Sequence, residues 1–138
     1  MIYVVIQFSC IIYLIINAQF DHLNTLGVSL IALSIVVGLA AVINMKPSNL
    51  NIVPTLKDKH QLITHGIYQF IRHPMYTSVL LFCLACALTI NNNQTTIVML
   101  ILLIDLILKS NVEEKLLSER FDGYSSYKNK TGRFLPFL

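Results

Sequence analysis

Two groups of ionisable residues stand at the edges of apolar stretches. The first is in "GIYQFIRHPMY" (66–76), which runs straight into "TSVLLFCLACALTI". Arg72 carries a permanent charge and a planar fork of donors. Pro74 suits the first turn of a helix, where its missing N–H costs nothing. That puts His73 near the N-cap, beside free backbone N–H groups that suit an anion or carboxylate. The second group is Asp105, Lys109 and Glu113, spaced i, i+4, i+8 along one slowly drifting helical face. An ionisable residue inside a membrane span is a functional candidate. Both groups also have plain readings. Arg72 would anchor to lipid phosphate with His73 as a cap, and Asp105 would pair locally with Lys109.

The elements that must position them are apolar. Of 138 residues, 55% are hydrophobic and 12% charged, about half the usual charged share. The apolar residues form four blocks, which predict helices over about 2–20, 26–45, 74–90 and 95–110. The fold class expected is all-α integral membrane: four transmembrane helices, a cytoplasmic connector and a C-terminal amphipathic helix, in a single domain over 1–138. The last two blocks are short of the ~20 residues that cross a bilayer, so they borrow residues at their ends or sit in thinned membrane.

Charge orients these spans. Every Lys and Arg falls in 46–72 or 109–138. The positive-inside rule makes both segments cytoplasmic, with "NNNQ" (91–94) and "DHLNT" (21–25) outside and both termini in the cytoplasm. The first block lacks the basic start and small-residue cleavage site of a signal peptide and is expected to be retained. The net charge of +3 follows from topology and gives no reason to expect nucleic acid. "CLAC" (83–86) has C-x-x-C spacing inside an apolar helix with no further ligands, so no metal site is expected.

The 46–71 connector holds two prolines and hydrophobes that predict folding back onto the bundle. "EEKLLSERF" (113–121) predicts an amphipathic helix ended by "DG". Its apolar face carries Leu117, Phe121 and Tyr124, and Glu113 lies on that side, with Glu114 about 100° away. A tight hairpin through 91–94 would bring Arg72–His73 and Asp105–Glu113 together at one membrane–water boundary.

"HQLITHGIYQFIRHPMY", followed about 40 residues on by "EEKLLSERFDGYSSYKNKTGRFLP", resembles the isoprenylcysteine carboxyl methyltransferase family and its phospholipid methyltransferase relatives. The likeness covers 50–138. It implies an integral membrane enzyme that uses S-adenosylmethionine. The family's cofactor contacts would fall on His60, Gln61, Leu62, Ile63, Tyr68, His73, Pro74, Met75, Tyr76 and Glu113. Its substrate-side Arg falls on Lys109, which keeps the charge and loses the bidentate fork. Ser78 stands where the family often has Gly.

The residues themselves are compatible with that reading. A helix N-terminus with Arg72 suits the cofactor carboxylate, Glu113 its amino group, and Tyr68 or Tyr76 its adenine. No G-x-G-x-x-G occurs, so a Rossmann methyltransferase is not expected. The acceptor would be a lipid or prenylated small molecule entering sideways between helices. A carboxylate acceptor needs a cation, Lys109 or Arg72; an amine acceptor needs a base, Asp105 or Glu113. The cation surplus favours the carboxylate and O-methylation, with Arg72, Lys109 and Asp105 as the catalytic candidates. Two rivals stand beside it. A steroid-5α-reductase-like NADPH enzyme also places "RHPxY" at a helix start, with Asn at x where this chain has Met75. A non-catalytic membrane binding protein is the other.

Overall fold

The computed structural model describes all 138 residues. Five helices run in order: α1 (Ile2–Asn17), α2 (Thr25–Asn44), α3 (Pro74–Leu88), α4 (Asn93–Arg120) and α5 (Tyr124–Lys130). Short 3-10 turns cover Phe20–His22, Pro47–Asn49 and Gly66–Gln69. There is no sheet, only one isolated parallel bridge between Ile71 and Gly132.

Local chemistry sets the helix starts. Asn24 accepts a hydrogen bond from the Gly27 N–H at 2.8 Å, and Asn92 does the same for Thr95 at 2.8 Å. Each side chain satisfies a donor that a first helical turn leaves unpaired. Pro74 occupies the first turn of α3, and His73 stands at its N-cap without using its ring to cap.

Two boundaries differ from those read from the sequence. The first helix stops at Asn17 rather than near 20, and a 3-10 turn follows. The expected helices 95–110 and 113–121 are one helix, α4, of 28 residues, about 42 Å long. Nothing between Lys109 and Glu113 breaks a helix, so the apolar segment continues directly into the charged one. Tyr124–Lys130 forms a further short helix that the "DG" break begins.

α2 and α4 are long and apolar enough to cross a membrane; α1 and α3 are apolar and shorter. Large hydrophobes face outward on them, among them Ile12 and Ile16 on α1, Val36 and Ile43 on α2, and Ile101 and Ile104 on α4. An apolar belt of this extent suits lipid better than water. Inside, Cys10, Leu14, Cys83, Cys86, Leu102 and Leu106 form the main core between α1, α3 and α4. A second cluster, Ala41, Ile63 and Tyr68, pins the 46–71 connector to α2, as its hydrophobes predict.

α2 packs along α3, α1 packs along α4, and α3 touches both α1 and α4. α1 and α2 are consecutive in sequence yet share no extended contact. The α2–α3 seam is close because of Gly38. A Cβ there would lie 2.7 Å from the Ser78 hydroxyl. Ser78 in turn donates to the Ser34 carbonyl at 2.8 Å, and Ser34 donates to the Ser78 carbonyl at 2.8 Å. The small residue at this crossing is Gly38 of the facing helix. Gly38→Val is expected to cost about 1–3 kcal/mol, as overpacking does. Thermal unfolding in detergent should show the loss, and Ser78→Gly should recover part of it. An unchanged melting temperature for Gly38→Val would contradict this packing.

Candidate active site

The start of α3 and the charged half of α4 meet as the hairpin reading expects. Their contact is built on one carboxylate, Glu114. Its side chain is 3% exposed, and Arg72 Nε donates to Oε1 at 2.8 Å. His73 Nε2 lies 3.1 Å from the same oxygen. Lys128 Nζ and Arg133 reach Oε2 at 3.1 and 3.5 Å. Burial alone would oppose a charge here, but four basic groups surround it, and buried charges persist when so paired.

The same residues tie down the chain end. Arg72 Nη1 donates to the carbonyls of Lys128 (3.0 Å) and Thr131. The Arg72 N–H donates to the Gly132 carbonyl at 2.8 Å, and the His73 N–H to the Arg133 carbonyl at 3.0 Å. Gly132 returns a bond to the Phe70 carbonyl at 3.0 Å. Tyr127 donates its hydroxyl to the Tyr68 carbonyl at 2.6 Å. Phe134 sets its ring edge against His73 and Tyr76, 6.1 and 6.4 Å between centroids. The Arg72 fork is therefore spent largely on Glu114 and the C-terminal segment.

Glu113, one residue earlier, faces elsewhere. Its carboxylate accepts the Tyr76 hydroxyl and lies 3.5 Å from His73 Nδ1. The His73 ring is thus bracketed by two carboxylates, one at each nitrogen, and it stacks on Tyr76 with 1° between planes. Two adjacent acids on α4 divide two tasks: Glu114 turns into the ionic knot, and Glu113 turns to open space.

That space is a cavity of about 570 Å³, within the usual range for small-molecule sites. His60, Tyr68, residues 72–76, Lys109 and Glu113 border it. Its remaining walls are mostly apolar, including Phe8 of α1 and Ile35, Leu39 and Val42 of α2, with Gln7, Ser34, Asn49, Asn51, Thr55 and Ser78 as the polar exceptions. It lies where α1 and α2 fail to pack. Lys109 is 2% exposed; its Nζ donates to Gln7 Oε1 at 2.9 Å and sits 5.0 Å above the Tyr76 ring. His60 has an unpaired buried Nδ1. Burial, helped by the Arg120 cation, lowers the His60 pKa, so the ring is neutral at pH 7. Burial also raises the Tyr68 pKa, with Tyr127 and Glu113 adding to the shift, so its phenol keeps its proton.

Three of the cofactor residues read from the sequence lie beside the cavity, not on it. Gln61, Leu62 and Ile63 border a separate recess of about 50 Å³. The Gln61 backbone is held by Asn49 on both sides, N–H to Oδ1 at 2.8 Å and carbonyl to Nδ2 at 2.5 Å. Asp105 is 3% exposed and outside the cavity lining; neither of its oxygens has a hydrogen-bond partner, so the local pair with Lys109 is not formed. At the α3 N-terminus, Met75 keeps the one first-turn N–H without a partner, because Tyr76 and Thr77 both donate to the His73 carbonyl at 3.1 Å. Sequence reasoning missed Glu114 and Gln7. Gln7 carried a usable signal, a lone long amide in an otherwise apolar helical run.

The model of the phospholipid methyltransferase family matches residues 23–123 of this chain, which takes in both halves of the cavity's charged end. The chain belongs to the phospholipid methyltransferase family. Curated relatives carry a narrower name. The Saccharomyces cerevisiae protein-S-isoprenylcysteine O-methyltransferase is 33% identical over 91 residues, 64% of this chain and 38% of the yeast protein. The Schizosaccharomyces pombe protein of the same name is 27% identical over 132 residues, 90% of this chain and 54% of its own length. An Oryza sativa relative named "Probable protein-S-isoprenylcysteine O-methyltransferase" is 31% identical over 84 residues, 59% of this chain and 44% of the rice protein. The chain spans about half the length, or less, of these relatives.

Glu114→Gln is expected to destabilise the fold by about 3–5 kcal/mol, because it leaves the buried Arg72 guanidinium without its counter-charge. Lys128→Ala, whose side chain is 45% exposed, should cost no more than about 1 kcal/mol. Thermal unfolding, together with protease cleavage after residue 121, reads both. Equal melting temperatures for the two variants would contradict the central place given to Glu114.

Proposed function

We propose that this chain is an S-adenosylmethionine-dependent O-methyltransferase that acts at the cytoplasmic membrane face on a prenylated or lipid-like carboxylate. One observation carries the reading: a single cavity has a polar end holding Tyr68, His73, Tyr76, Lys109 and Glu113 and an apolar wall between α1 and α2. A water-soluble cofactor suits the first and a hydrocarbon chain the second. Four crossings, with 46–72 and 109–138 in the cytoplasm, would place that polar end at the membrane surface.

The donor set fits the cofactor. Glu113 would bind its amino group and Met75 N–H its carboxylate. The His60 and Tyr68 rings would meet the adenine. When bound, S-adenosylmethionine supplies a methyl on a sulfonium, and its passage to a carboxylate oxygen moves no proton. The chain then needs no general base, and Asp105 has no proton to take. Lys109 holds the acceptor carboxylate, and the apolar walls hold its tail and exclude water. Arg72 acts at one remove, by fixing His73 and the chain end through Glu114.

Calorimetry on the full chain in detergent or nanodiscs tests this reading. S-adenosylhomocysteine should bind, and Glu113→Ala should weaken it at least tenfold while the melting temperature stays within a few degrees. Binding of NADPH in place of S-adenosylhomocysteine would point instead to the reductase. Binding of S-adenosylhomocysteine without turnover of any prenylated or lipid acceptor would point to a non-catalytic binding protein.

A further inference from the structure

Gln7 sits near the start of α1, 7% exposed, among residues that are otherwise apolar. An uncharged amide is costly in that setting unless it is satisfied. Its one partner in the chain is Lys109 on α4, 102 residues away, at 2.9 Å. An ammonium can only donate, so the atom facing it must be the Gln7 carbonyl oxygen. That fixes the other end of the amide. Nε2, with its two N–H donors, has no partner in the chain, and Gln7 lines the same cavity as Lys109. Lys109 Nζ likewise spends one donor on Gln7 and rests over the Tyr76 ring, 5.0 Å from its centroid. Two donor groups from different helices thus border one space, locked in orientation by the bond between them.

We propose that Gln7 and Lys109 together form the acceptor-carboxylate cradle, with Gln7 as a binding and specificity-determining residue for that headgroup. A lysine presents one mobile point charge, where an arginine presents two parallel donors on a rigid plane. The Gln7 amide removes both shortcomings. Its oxygen aims the ammonium, and its Nε2 adds a second donor beside it, so that a carboxylate meets one N–H from each. The pair does with two side chains what a guanidinium does with one. A methyl ester, which carries no charge, gains little from such a pair. The cradle therefore favours the acid over its methylated product and lets the ester leave.

This inference rests on the carboxylate-acceptor reading above. Its test uses the full chain in nanodiscs with S-adenosylhomocysteine present. The probes are an N-acetyl S-prenylcysteine and its methyl ester, titrated by calorimetry. The wild type should favour the acid. Gln7→Met keeps the side-chain length and the apolar packing but removes both amide functions; it should lower the acid-over-ester preference on the order of tenfold, the weight of one hydrogen bond to a charged group. Gln7→Glu should abolish the preference and leave ester affinity close to that of the wild type. Lys109→Arg added to Gln7→Met should restore most of the preference, because the fork supplies both donors. S-adenosylhomocysteine binding and melting temperature, read on each variant, show whether it is folded. A merely structural Gln7 would change acid and ester binding alike. An acid preference that survives Gln7→Met, or one that Lys109→Arg fails to restore, overturns the cradle while leaving the methyltransferase reading in place. A wild type that binds S-adenosylhomocysteine with no acid preference overturns the cradle and the carboxylate acceptor together. Absence of S-adenosylhomocysteine binding overturns the methyltransferase reading itself.

Discussion

The arrangement depends on the buried carboxylate of Glu114. Four basic groups converge on it from three parts of the chain: Arg72 and His73 at the start of α3, Lys128 on α5, and Arg133 beyond it. Half-satisfied, such a knot would destabilise the fold, since each unpaired buried charge carries a large desolvation cost. Joined, it fixes the backbone of 70–73 against 131–133, the orientation of the His73 ring and the position of Phe134. Those three consequences shape the polar end of the cavity. The knot thus works indirectly, by keeping rigid the residues that border the open space.

The open space has a second cause. α1 is held to α4 and α3, and α2 is held to α3 through the Gly38–Ser78 contact. No comparable small-residue seam joins α1 to α2. Their separation leaves apolar side chains on both sides of a gap that ends at Lys109 and Glu113. A polar tie between Gln7 and Lys109 links α1 to the charged turn of α4. Apolar walls at one side and ionic groups at the other is the pattern that a membrane–water boundary imposes.

Much of this was legible in the sequence. The four apolar blocks, the proline at the start of α3 and the i, i+4, i+8 run on α4 are local signals, and they placed Arg72, His73, Lys109 and Glu113 in one neighbourhood. What the sequence did not show were choices between equivalent partners. "EE" offers two acids 100° apart, and helical periodicity alone favours neither for the ion pair. Only the docking of 124–138 decides it, and that docking rests largely on hydrogen bonds to backbone carbonyls, which no side-chain pattern announces. The continuity of α4 was hidden for a similar reason. A change of composition at Lys109 resembles a boundary, although no residue there interrupts the helix. Asp105 shows the same limit from the other side: spacing puts it in line with Lys109, and packing turns it into the interior.

The claim that most needs direct observation is the division between the adjacent acids, Glu113 toward ligand and Glu114 toward the fold. An experimental structure of the full chain in nanodiscs with S-adenosylhomocysteine would show it. The account predicts ligand density with its amino group within hydrogen-bond distance of Glu113 and an undisturbed Arg72–Glu114 pair beneath it. Density seated against Glu114 with that pair opened, or ligand bound away from the cavity, would contradict the account.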